Sequence, residues 1–323
     1  MKTAVYSRYG GPQVVQITDL PTPVPRQSEV LIRVLATTVS SGDARLRAMR
    51  MPRGMGLMGR LAFGLAGPRK RVLGSELVGV VAAIGQGVTR FSVGDAVIGF
   101  PGVRMGAHAE FCVLREDAAI IHRPTRTSDA QAAALAFGGT TALHFLLDKG
   151  ELQSGERVLI LGGSGAVGSA AVQIAKALGA YVTATCSQGN VDLVRGLGAD
   201  EVIDYRATDV TRSASPFDIV MDCVSATTFP ACLPILNPGG RFLLVSGDLM
   251  QMLGALRKGP QGKRAIGGVA PERAADLETL AQFAAGGLYV PVIDSIFPLD
   301  QIASAHARVD SGRKRGSVVV TLD

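Results

Sequence analysis

Residues 159–180 read LILGGSGAVGSAAVQIAKALGA, and this stretch decides the fold. Its predicted phosphate-binding turn consists of six consecutive residues: Gly163, Ser164, Gly165, Ala166, Val167 and Gly168. The three glycines form G-x-G-x-x-G, in which the first permits a tight turn, the second lets the backbone approach a pyrophosphate, and the third lets helix and strand pack closely. The following helix would present free N–H groups to the phosphates. We therefore predict a strand–turn–helix unit that binds a dinucleotide.

Strand-like and helix-like segments alternate around and beyond this turn. From Glu156 onward, the apolar runs RVLIL, YVTATC, EVIDY, FDIVMDCV and RFLLVSG are separated by helix-like segments of about ten residues. Such alternation is typical of a parallel, doubly wound α/β sheet. We place this dinucleotide-binding domain at residues 125–289.

Residues 1–124 follow a different pattern. The runs TAVYSRYG, EVLIRVLATTV, ELVGVVAAIG and AHAEFCVL are rich in β-branched residues, and glycine and proline recur between them. This pattern predicts a mostly antiparallel β domain. The tail, residues 290–323, contains a further strand-like run, GSVVVTL, which we expect to return to the first domain.

Composition indicates a soluble, cytoplasmic protein. Hydrophobic residues make up 47% of the chain, but no apolar run reaches the roughly 18 residues that span a bilayer. The N-terminus lacks the apolar segment of a secretory signal. The histidines are scattered, and the four cysteines form no C-x-x-C pair: Cys112, Cys186, Cys223 and Cys232. We expect free, buried thiols and no metal site.

The net charge of +6 comes from one segment. Between Asp43 and Glu76 there are eight basic residues and no acidic one, and removing those eight would change the charge from +6 to −2. Segment 45–71 also holds four of the nine methionines. Three interpretations stay open: a lid for a bulky apolar substrate with an acidic end, a membrane-surface contact, or a helical excursion with a methionine-rich inner face. Phe63 is its only aromatic residue, so nucleic-acid binding by base stacking is not expected.

The residues after the second strand of the α/β domain bear on the cofactor. Many such units place an Asp or Glu there, which binds the ribose of NAD. Here the sequence reads Cys186, Ser187 and Gln188, and Ser187 can donate to a phosphate oxygen. Positive charge for a 2′-phosphate could come from four residues: Arg206, Arg313, Lys314 and Arg315. We predict NADPH as the cofactor; the alternative is a neutral pocket that binds either NADPH or NADH.

The whole chain resembles the medium-chain dehydrogenase/reductase superfamily. The resemblance is carried by LGSELVGVVAAIGQGVTRFSVGDAVIGF, AALAFGGTTALHFL, the glycine turn, GADEVIDY and LNPGGRFLLVSG. It implies an α/β fold with a GroES-like β domain followed by a Rossmann domain, whose doubly wound parallel sheet binds the cofactor. It also implies a homodimer formed through edge strands of the Rossmann sheets, for which residues 234–247, PILNPGGRFLLVSG, could supply the edge.

The positions at which this chain departs from the pattern of the superfamily indicate which branch of the superfamily it resembles. Zinc-dependent members carry a Cys where this chain has Ser40, and a Gly-His-Glu motif where it has Gly74, Ser75 and Glu76. The four-cysteine structural zinc lobe is also absent, and serine is a poor zinc ligand. The chain is similar instead to the zinc-independent quinone oxidoreductase and enone reductase branch, whose members often have Asn at the position of Ser40.

The same resemblance implies roles for residues near the cofactor. Thr141 and the strand end formed by Val245, Ser246 and Gly247 would line the nicotinamide, and Tyr205 would pack near the adenosine phosphate. Two structural alternatives stay open: Thr141 as a helix cap and Tyr205 as a cover for the sheet edge.

The sequence therefore predicts an NADPH-dependent reductase of quinones or α,β-unsaturated carbonyl compounds. Such acceptors take hydride directly, so the protein has to align them and stabilise a developing anion. Ser40, Ser41 and Asp43 are the predicted polar wall of the site. The alternatives are a metal-free alcohol dehydrogenase, and a redox-silent NADPH-binding protein that acts as a sensor or as an RNA- or membrane-associated partner.

Overall fold

Strands and helices are described over residues 1–212, 215–247, 249–254 and 258–322 of the computed structural model. The strands are β1 (Lys2–Tyr6), β2 (Val15–Asp19), β3 (Glu29–Val39), β4 (Leu77–Ile84), β5 (Ala96–Gly99), β6 (Phe111–Arg115), β7 (Ile120–His122), β8 (Arg157–Leu161), β9 (Tyr181–Cys186), β10 (Glu201–Asp204), β11 (Phe217–Asp222), β12 (Leu236–Leu244), β13 (Arg264–Gly267), β14 (Ile293–Pro298) and β15 (Ser317–Thr321). The α-helices are α1 (Ser41–Ala48), α2 (Gly56–Phe63), α3 (Asp129–Ala133), α4 (Ala136–Leu143), α5 (Ala166–Ala177), α6 (Val191–Gly196), α7 (Phe229–Cys232), α8 (Leu249–Gly254), α9 (Ala274–Ala285) and α10 (Ile302–Asp310).

A six-stranded, entirely parallel sheet carries the glycine turn. Its order is β10-β9-β8-β11-β12-β13, so the chain starts in the middle, winds to one side and then to the other. Both faces of β8 are buried: Val158 and Ile160 pack in one apolar cluster, Leu159 and Leu161 in another. Parallel sheets need cover on both faces because helical crossovers connect their strands. The predicted doubly wound sheet is confirmed.

A second, mainly antiparallel sheet contains strands from both ends of the chain. Its order is β14-β15-β3-β4-β5-β7, with β6 paired to another part of β3, while β1 and β2 form a separate hairpin. The last strand, β15, pairs antiparallel with β3 and parallel with β14. Val318, Val319 and Val320 are fully buried there. The C-terminal segment thus completes the first sheet, while the boundaries at residues 124 and 289 stay predictions.

Strand β12 does not form an edge of the parallel sheet, which corrects the expectation for residues 234–247. It lies between β11 and β13, and β13 is the outer strand on that side. Both faces of a central strand and of an edge strand can be apolar, so hydrophobic periodicity could not distinguish the two.

The basic segment 45–71 contains the end of α1 and all of α2. Leu57, Met58 and Leu61 on α2 are at least half exposed, whereas Met49, Met51 and Met55 are partly buried, so a methionine-rich inner face stays a prediction. In contrast, Arg47 of α1 is completely buried. Among the described residues, no helix has the length and apolarity that crossing a membrane requires.

The four cysteines are unpaired. Cys112, Cys186 and Cys232 are buried, as expected, whereas Cys223 is only partly buried.

Candidate active site

A crevice of about 970 Å³ opens at the carboxyl ends of β8, β9 and β11. This is where ligands bind in doubly wound sheets, because the strand order reverses between β8 and β11. The crevice brings together six of the predicted cofactor-binding residues: Ser164, Gly165, Ser187, Tyr205, Arg313 and Arg315. Of the remaining predicted ones, Gly163, Ala166, Val167 and Gly168 belong to the turn and the start of α5, Ser246 and Gly247 line a second cavity described below, and Thr141 and Val245 line neither cavity.

The glycine turn has the geometry that its sequence predicts. Gly162 adopts a φ of +85°, which favours glycine. A Cβ atom on Gly168 would lie 2.1 Å from the Gly162 carbonyl oxygen, so this glycine permits the close approach of α5 to the turn. Helix α5 begins at Ala166 with Val167 in its first turn, and its N-cap residue Gly165 supplies no side-chain cap. The start of α5 is therefore available to an anionic ligand.

An asparagine that sequence reasoning missed connects two of the predicted serines. The Asn190 amide donates to Ser187 Oγ over 3.2 Å and to Ser164 Oγ over 3.1 Å. Asn190 thereby joins the loop after β9 to the glycine turn. Ser187, at the predicted position of the missing acid, lines the crevice with a neutral hydroxyl. An amide within the SQGN loop was the signal available in the sequence.

Four basic residues border this end of the crevice: Arg206, Arg313, Lys314 and Arg315. The loop that carries the last three is fastened to the glycine turn, since the Gly316 N–H donates to the Ser164 carbonyl over 2.8 Å. Asp209 is the single carboxyl group among the described lining residues, and it accepts hydrogen bonds from Thr211. The border is therefore strongly positive.

Buried contacts hold this basic loop in position. Burial raises the pKa of Asp294, but hydrogen bonds from Arg308, from the Arg315 N–H and from Ser295 outweigh that effect and lower it to about 2. Burial lowers the pKa of Lys314 to about 8, against the influence of Asp294 and Glu76. Lys314 Nζ donates to the Gly316 carbonyl over 2.5 Å.

Tyr205 follows the outer strand β10 and is 55% exposed. Its ring lies 5.8 Å from the Arg206 guanidinium, which gives a flat, positively charged surface in the crevice. The alternative that Tyr205 only covers the sheet edge stays open, since β10 is the outer strand on that side.

A second cavity of about 380 Å³ lies at the other end of the site. Ser246 and Gly247, which follow β12, line it together with Ser225. Val245, just before them, is partly buried. The loop that holds Ser225 is fixed by buried Asp222, whose carboxyl accepts the N–H groups of Val224, Ala226 and Thr227.

Val224, Ala226 and Thr227 line the large crevice, whereas Ser225 lines the second cavity. The two cavities therefore share this loop. Asp222 ends an apolar parallel strand, a position from which the sequence could have indicated a role beside the ligand.

Thr141 lies inside α4 and is not a helix cap. Its hydroxyl donates to the Phe137 carbonyl one turn earlier, over 2.7 Å. Threonine often bonds back to its own helix in this way, and a cap would have to precede the helix. Thr141 is partly exposed but lines neither cavity in the described structure.

In the predicted polar wall, two of the three residues form a structural cap, and the catalytic assignment of the three stays a prediction. Ser40 is the N-cap of α1 and accepts from the Asp43 N–H, while the Asp43 carboxyl accepts from the Ser40 N–H over 2.8 Å and the Ser40 hydroxyl over 2.5 Å. Asp43 also accepts the Gly74 N–H over 2.9 Å. Asp43 is completely buried and Ser40 is 5% exposed. Ser41 is partly exposed but lines neither cavity.

A buried carboxyl group joins the first sheet to α4. Glu76 accepts hydrogen bonds from the Thr38 hydroxyl and, over 2.6 Å, from the Phe137 N–H at the start of α4. Burial raises the pKa of Glu76 to about 7, although both hydrogen bonds act in the opposite direction. Sequence reasoning noted Glu76 only as part of an incomplete metal motif.

The donor set at the positions of the family's zinc ligands does not fit zinc. The Ser40 hydroxyl is committed to Asp43, Ser75 Oγ is buried without a partner among the described residues, and Glu76 is held by Thr38 and Phe137. Serine hydroxyls are poor zinc ligands. In the part of the chain that the structure describes, no three His, Cys, Asp or Glu side chains are grouped as a metal site would require.

Comparison with known proteins identifies two matching family models. The alcohol dehydrogenase GroES-like domain matches residues 26–125, and the zinc-binding dehydrogenase family matches residues 197–320. The zinc in the second description belongs to that family, and the residues described above do not reproduce a zinc site.

Relatives align along nearly the whole chain. A chloroplast envelope quinone oxidoreductase homolog of Arabidopsis thaliana is 30% identical over 335 residues, which cover 99% of this chain and 98% of the relative. The mitochondrial NAD(P)H oxidoreductase RTN4IP1 of Bos taurus is 31% identical over 360 residues, covering 100% of this chain and 89% of the relative. The quinone oxidoreductase from Coxiella burnetii superposes with a TM-score of 0.86 at 27% identity, covering 100% of this chain and 99% of that one. The chain therefore belongs to the medium-chain dehydrogenase/reductase superfamily, in its quinone oxidoreductase-like branch.

Proposed function

We propose that this NAD(P)H-dependent oxidoreductase uses NADPH to reduce quinones or α,β-unsaturated carbonyl compounds. The observation that carries the proposal is the composition of the large crevice. Four cations border it, and Ser187 stands where an NAD-selective acid would lie. The names of the relatives, quinone oxidoreductase and NAD(P)H oxidoreductase, support the same reaction class.

The preference for NADPH follows from charge. A 2′-phosphate carries negative charge, which Arg206, Arg313 and Arg315 can bind through charge-assisted hydrogen bonds. A carboxylate at Ser187 would repel that phosphate and would accept the ribose hydroxyls of NAD instead. In this proposal NADH is a second, weaker cofactor, because the glycine turn would bind only the part that the two share.

In this reaction, the residues of the chain bind the cofactor and the acceptor and orient them toward each other. The nicotinamide, when bound, supplies the hydride. Asp222 fixes the loop that carries Ser225, and the Ser225 hydroxyl donates to the Ser246 carbonyl over 2.6 Å, which sets the wall beside the reacting ring. The hydroxyl of Ser40 is already donated to Asp43, so we assign the proton for the reduced product to water.

The first test measures oxidation of NADPH and NADH in parallel with an ortho-quinone, a para-quinone, an alkenal and a simple aldehyde. It includes Ser187→Asp, which introduces the acid, and the matched neutral variant Ser187→Asn. We expect turnover of a quinone or the alkenal with NADPH preferred. Ser187→Asp should lower kcat/KM for NADPH at least about tenfold, because a like charge meets the phosphate, whereas Ser187→Asn should retain the preference.

Two results would contradict the proposal. Turnover of the aldehyde alone would favour the alcohol dehydrogenase alternative. Tight NADPH binding without turnover of any acceptor would favour the redox-silent binding protein.

A homodimer in the cytoplasm completes the proposal. The short outer strand β13 is the edge of the parallel sheet on the side of β12, and it would supply the contact. The relatives above are named for chloroplasts and mitochondria, so the location needs its own test. Light scattering of the purified protein measures its oligomeric state, and cell fractionation determines its location.

A further inference from the structure

The second cavity, at the nicotinamide end, is unusually basic. Three arginines line it, namely Arg45, Arg50 and Arg53, and no carboxyl group is among its described lining residues. Arg45 comes from α1 of the first domain, while Ser246 and Gly247 follow β12 of the parallel sheet. The cavity therefore lies between the two domains, beside the strand end that the proposed function assigns to the reacting ring.

The charge of this group, which we call the arginine cluster (Arg45, Arg50 and Arg53), is only partly neutralised. Arg50 shares a single carboxyl group, Asp310, with buried Arg47. Arg45 donates to Ser246 Oγ over 3.1 Å, a neutral partner. Arg53 is exposed and forms no hydrogen bond or ion pair with another described residue.

The proximity of these arginines has an electrostatic cost. Partial burial lowers the pKa of Arg45, and the positive charge of Arg50 lowers it further. Like charges that share one cavity repel each other, and a bound anion would relieve that repulsion. A guanidinium group also matches the planar, two-oxygen geometry of a carboxylate.

We propose that the substrate carries an anionic group, a carboxylate or a group of similar charge, which the arginine cluster binds while the quinone or enone part meets the nicotinamide. The inference rests on the proposed function and narrows its substrate class. The volume of about 380 Å³ is enough for a small molecule, and the crevice for the cofactor is separate from it.

The test compares matched acceptors that differ only in charge. One pair is a naphthoquinone with a carboxylate on a short alkyl chain and its methyl ester; the other is 5-oxohept-6-enoate, whose carboxylate is not conjugated with the enone, and its methyl ester. The measured quantity is the ratio of kcat/KM for the acid to that for the ester. The variants are Arg53→Gln and Arg45→Gln. Arg60→Gln is the control, because it removes the same charge from the same segment but lies on α2, outside the cavity.

In the unmodified protein we expect the acid to be preferred in at least one pair. Arg53→Gln and Arg45→Gln should each lower the acid-to-ester ratio about tenfold, as for loss of a charge-assisted hydrogen bond, whereas Arg60→Gln should not change it. The preference should also weaken with added salt, because exposed charges are screened.

Three outcomes would overturn the inference. If the esters are reduced as well as the acids and the ratio is unaffected by the variants, the inference fails and the proposed function stands. If the variants weaken NADPH binding without changing the ratio, the arginine cluster serves the cofactor phosphates instead. If neither acid nor ester of either pair is reduced, both the inference and the proposed function fail.

Discussion

Two helices begin beside the same site, and their first turns use polar groups in opposite ways. Helix α1 starts with Ser40 and Asp43, which satisfy each other's backbone N–H groups in a reciprocal cap. Helix α5 starts with Gly165, which contributes no side chain. A capped start is stable by itself, whereas an uncapped start keeps its N–H groups for a ligand. Ser40 and Asp43 thus stabilise the start of α1, and the start of α5 is left available to the proposed cofactor.

A third helix start lies between these two cases. No local side chain caps α4, but Glu76 from the first domain accepts the Phe137 N–H in its first turn. The carboxyl group therefore ties the two domains together through a helix N-terminus. The three starts differ in where the acceptor comes from: the helix itself, the other domain, or a ligand.

The largest expected effect follows from removing the cap of α1. Asp43→Ala would leave three buried donors without an acceptor: the Ser40 N–H, the Ser40 hydroxyl and the Gly74 N–H. We expect the free energy of unfolding to fall by about 3 kcal/mol or more, measured by urea denaturation. The exposed control Asp117→Ala should cost less than about 0.5 kcal/mol.

The turnover rate of the Asp43→Ala variant tests whether Asp43 also takes part in the reaction. Because Asp43 is buried away from both cavities, kcat at a temperature where the variant is folded should stay within about threefold of the unmodified value. A large loss of kcat in a fully folded variant would show that Asp43 takes part in the reaction.

The second-largest expected effect is a pH-dependent change in stability at Glu76, which binds the start of α4. The pKa of Glu76 is about 7 in the folded protein and near 4.5 when unfolded, so the folded state binds the extra proton between these values. Its contribution to stability is therefore fully present below about pH 4.5 and is lost as the pH rises through 7.

Glu76→Gln removes this titration. The unfolding free energy of the unmodified protein minus that of the variant should fall by up to about 3 kcal/mol from pH 4.5 to 7.5. The variant therefore becomes more stable relative to the unmodified protein as the pH rises. Denaturation at several pH values measures it, with Glu278→Gln, at an exposed position of α9, as the control. Parallel pH profiles for Glu76→Gln and the unmodified protein would refute the assignment.

The smallest expected effect on stability comes from a substitution that gives α5 the side-chain N-cap that it lacks. Gly165 has an extended backbone that serine adopts at N-caps, and an added Cβ would meet nothing closer than 3.6 Å. Gly165→Ser should leave stability unchanged or slightly higher but weaken NADPH binding about tenfold, because the side chain competes with the phosphates for the same N–H groups.

Calorimetry measures the NADPH affinity of the Gly165→Ser variant, and a melting curve measures its stability. Gly196→Ser, at an exposed position of α6 with no neighbour within 4 Å, is the matched control. Unchanged NADPH affinity would mean that the start of α5 does not hold the phosphates.

The sequence predicted those features that depend on local spacing. The glycine turn and the alternating strands follow from residues that are neighbours in the chain, so the doubly wound sheet could be derived from them. Ser40 and Asp43 carry the spacing of a reciprocal cap, and the same two residues lie in a loop that resembles the family's catalytic loop, so the sequence supports both interpretations.

Features that depend on distant contacts could not be derived. The bonds from Asp43 to Gly74 and from Glu76 to Phe137 join segments that are 31 and 61 residues apart. The place of β12 inside the sheet depends on β13, whose sequence RAIG is too short to indicate a strand by its periodicity. The joining of the 312–316 loop to the glycine turn likewise spans more than 100 residues.

The position of β15 has a consequence for synthesis of the chain. This strand lies between β14 and β3, so the sheet that begins near the N-terminus is incomplete until Ser317–Thr321 has been made. At the ribosome's rate of ~5–20 residues per second, the first 125 residues wait roughly 10–40 s for it. During that time one side of part of β3 has no partner, and unpaired strand edges invite aggregation. The domain whose synthesis starts first is thus the domain whose sheet is completed last, and its unpaired strand edge needs protection during that interval.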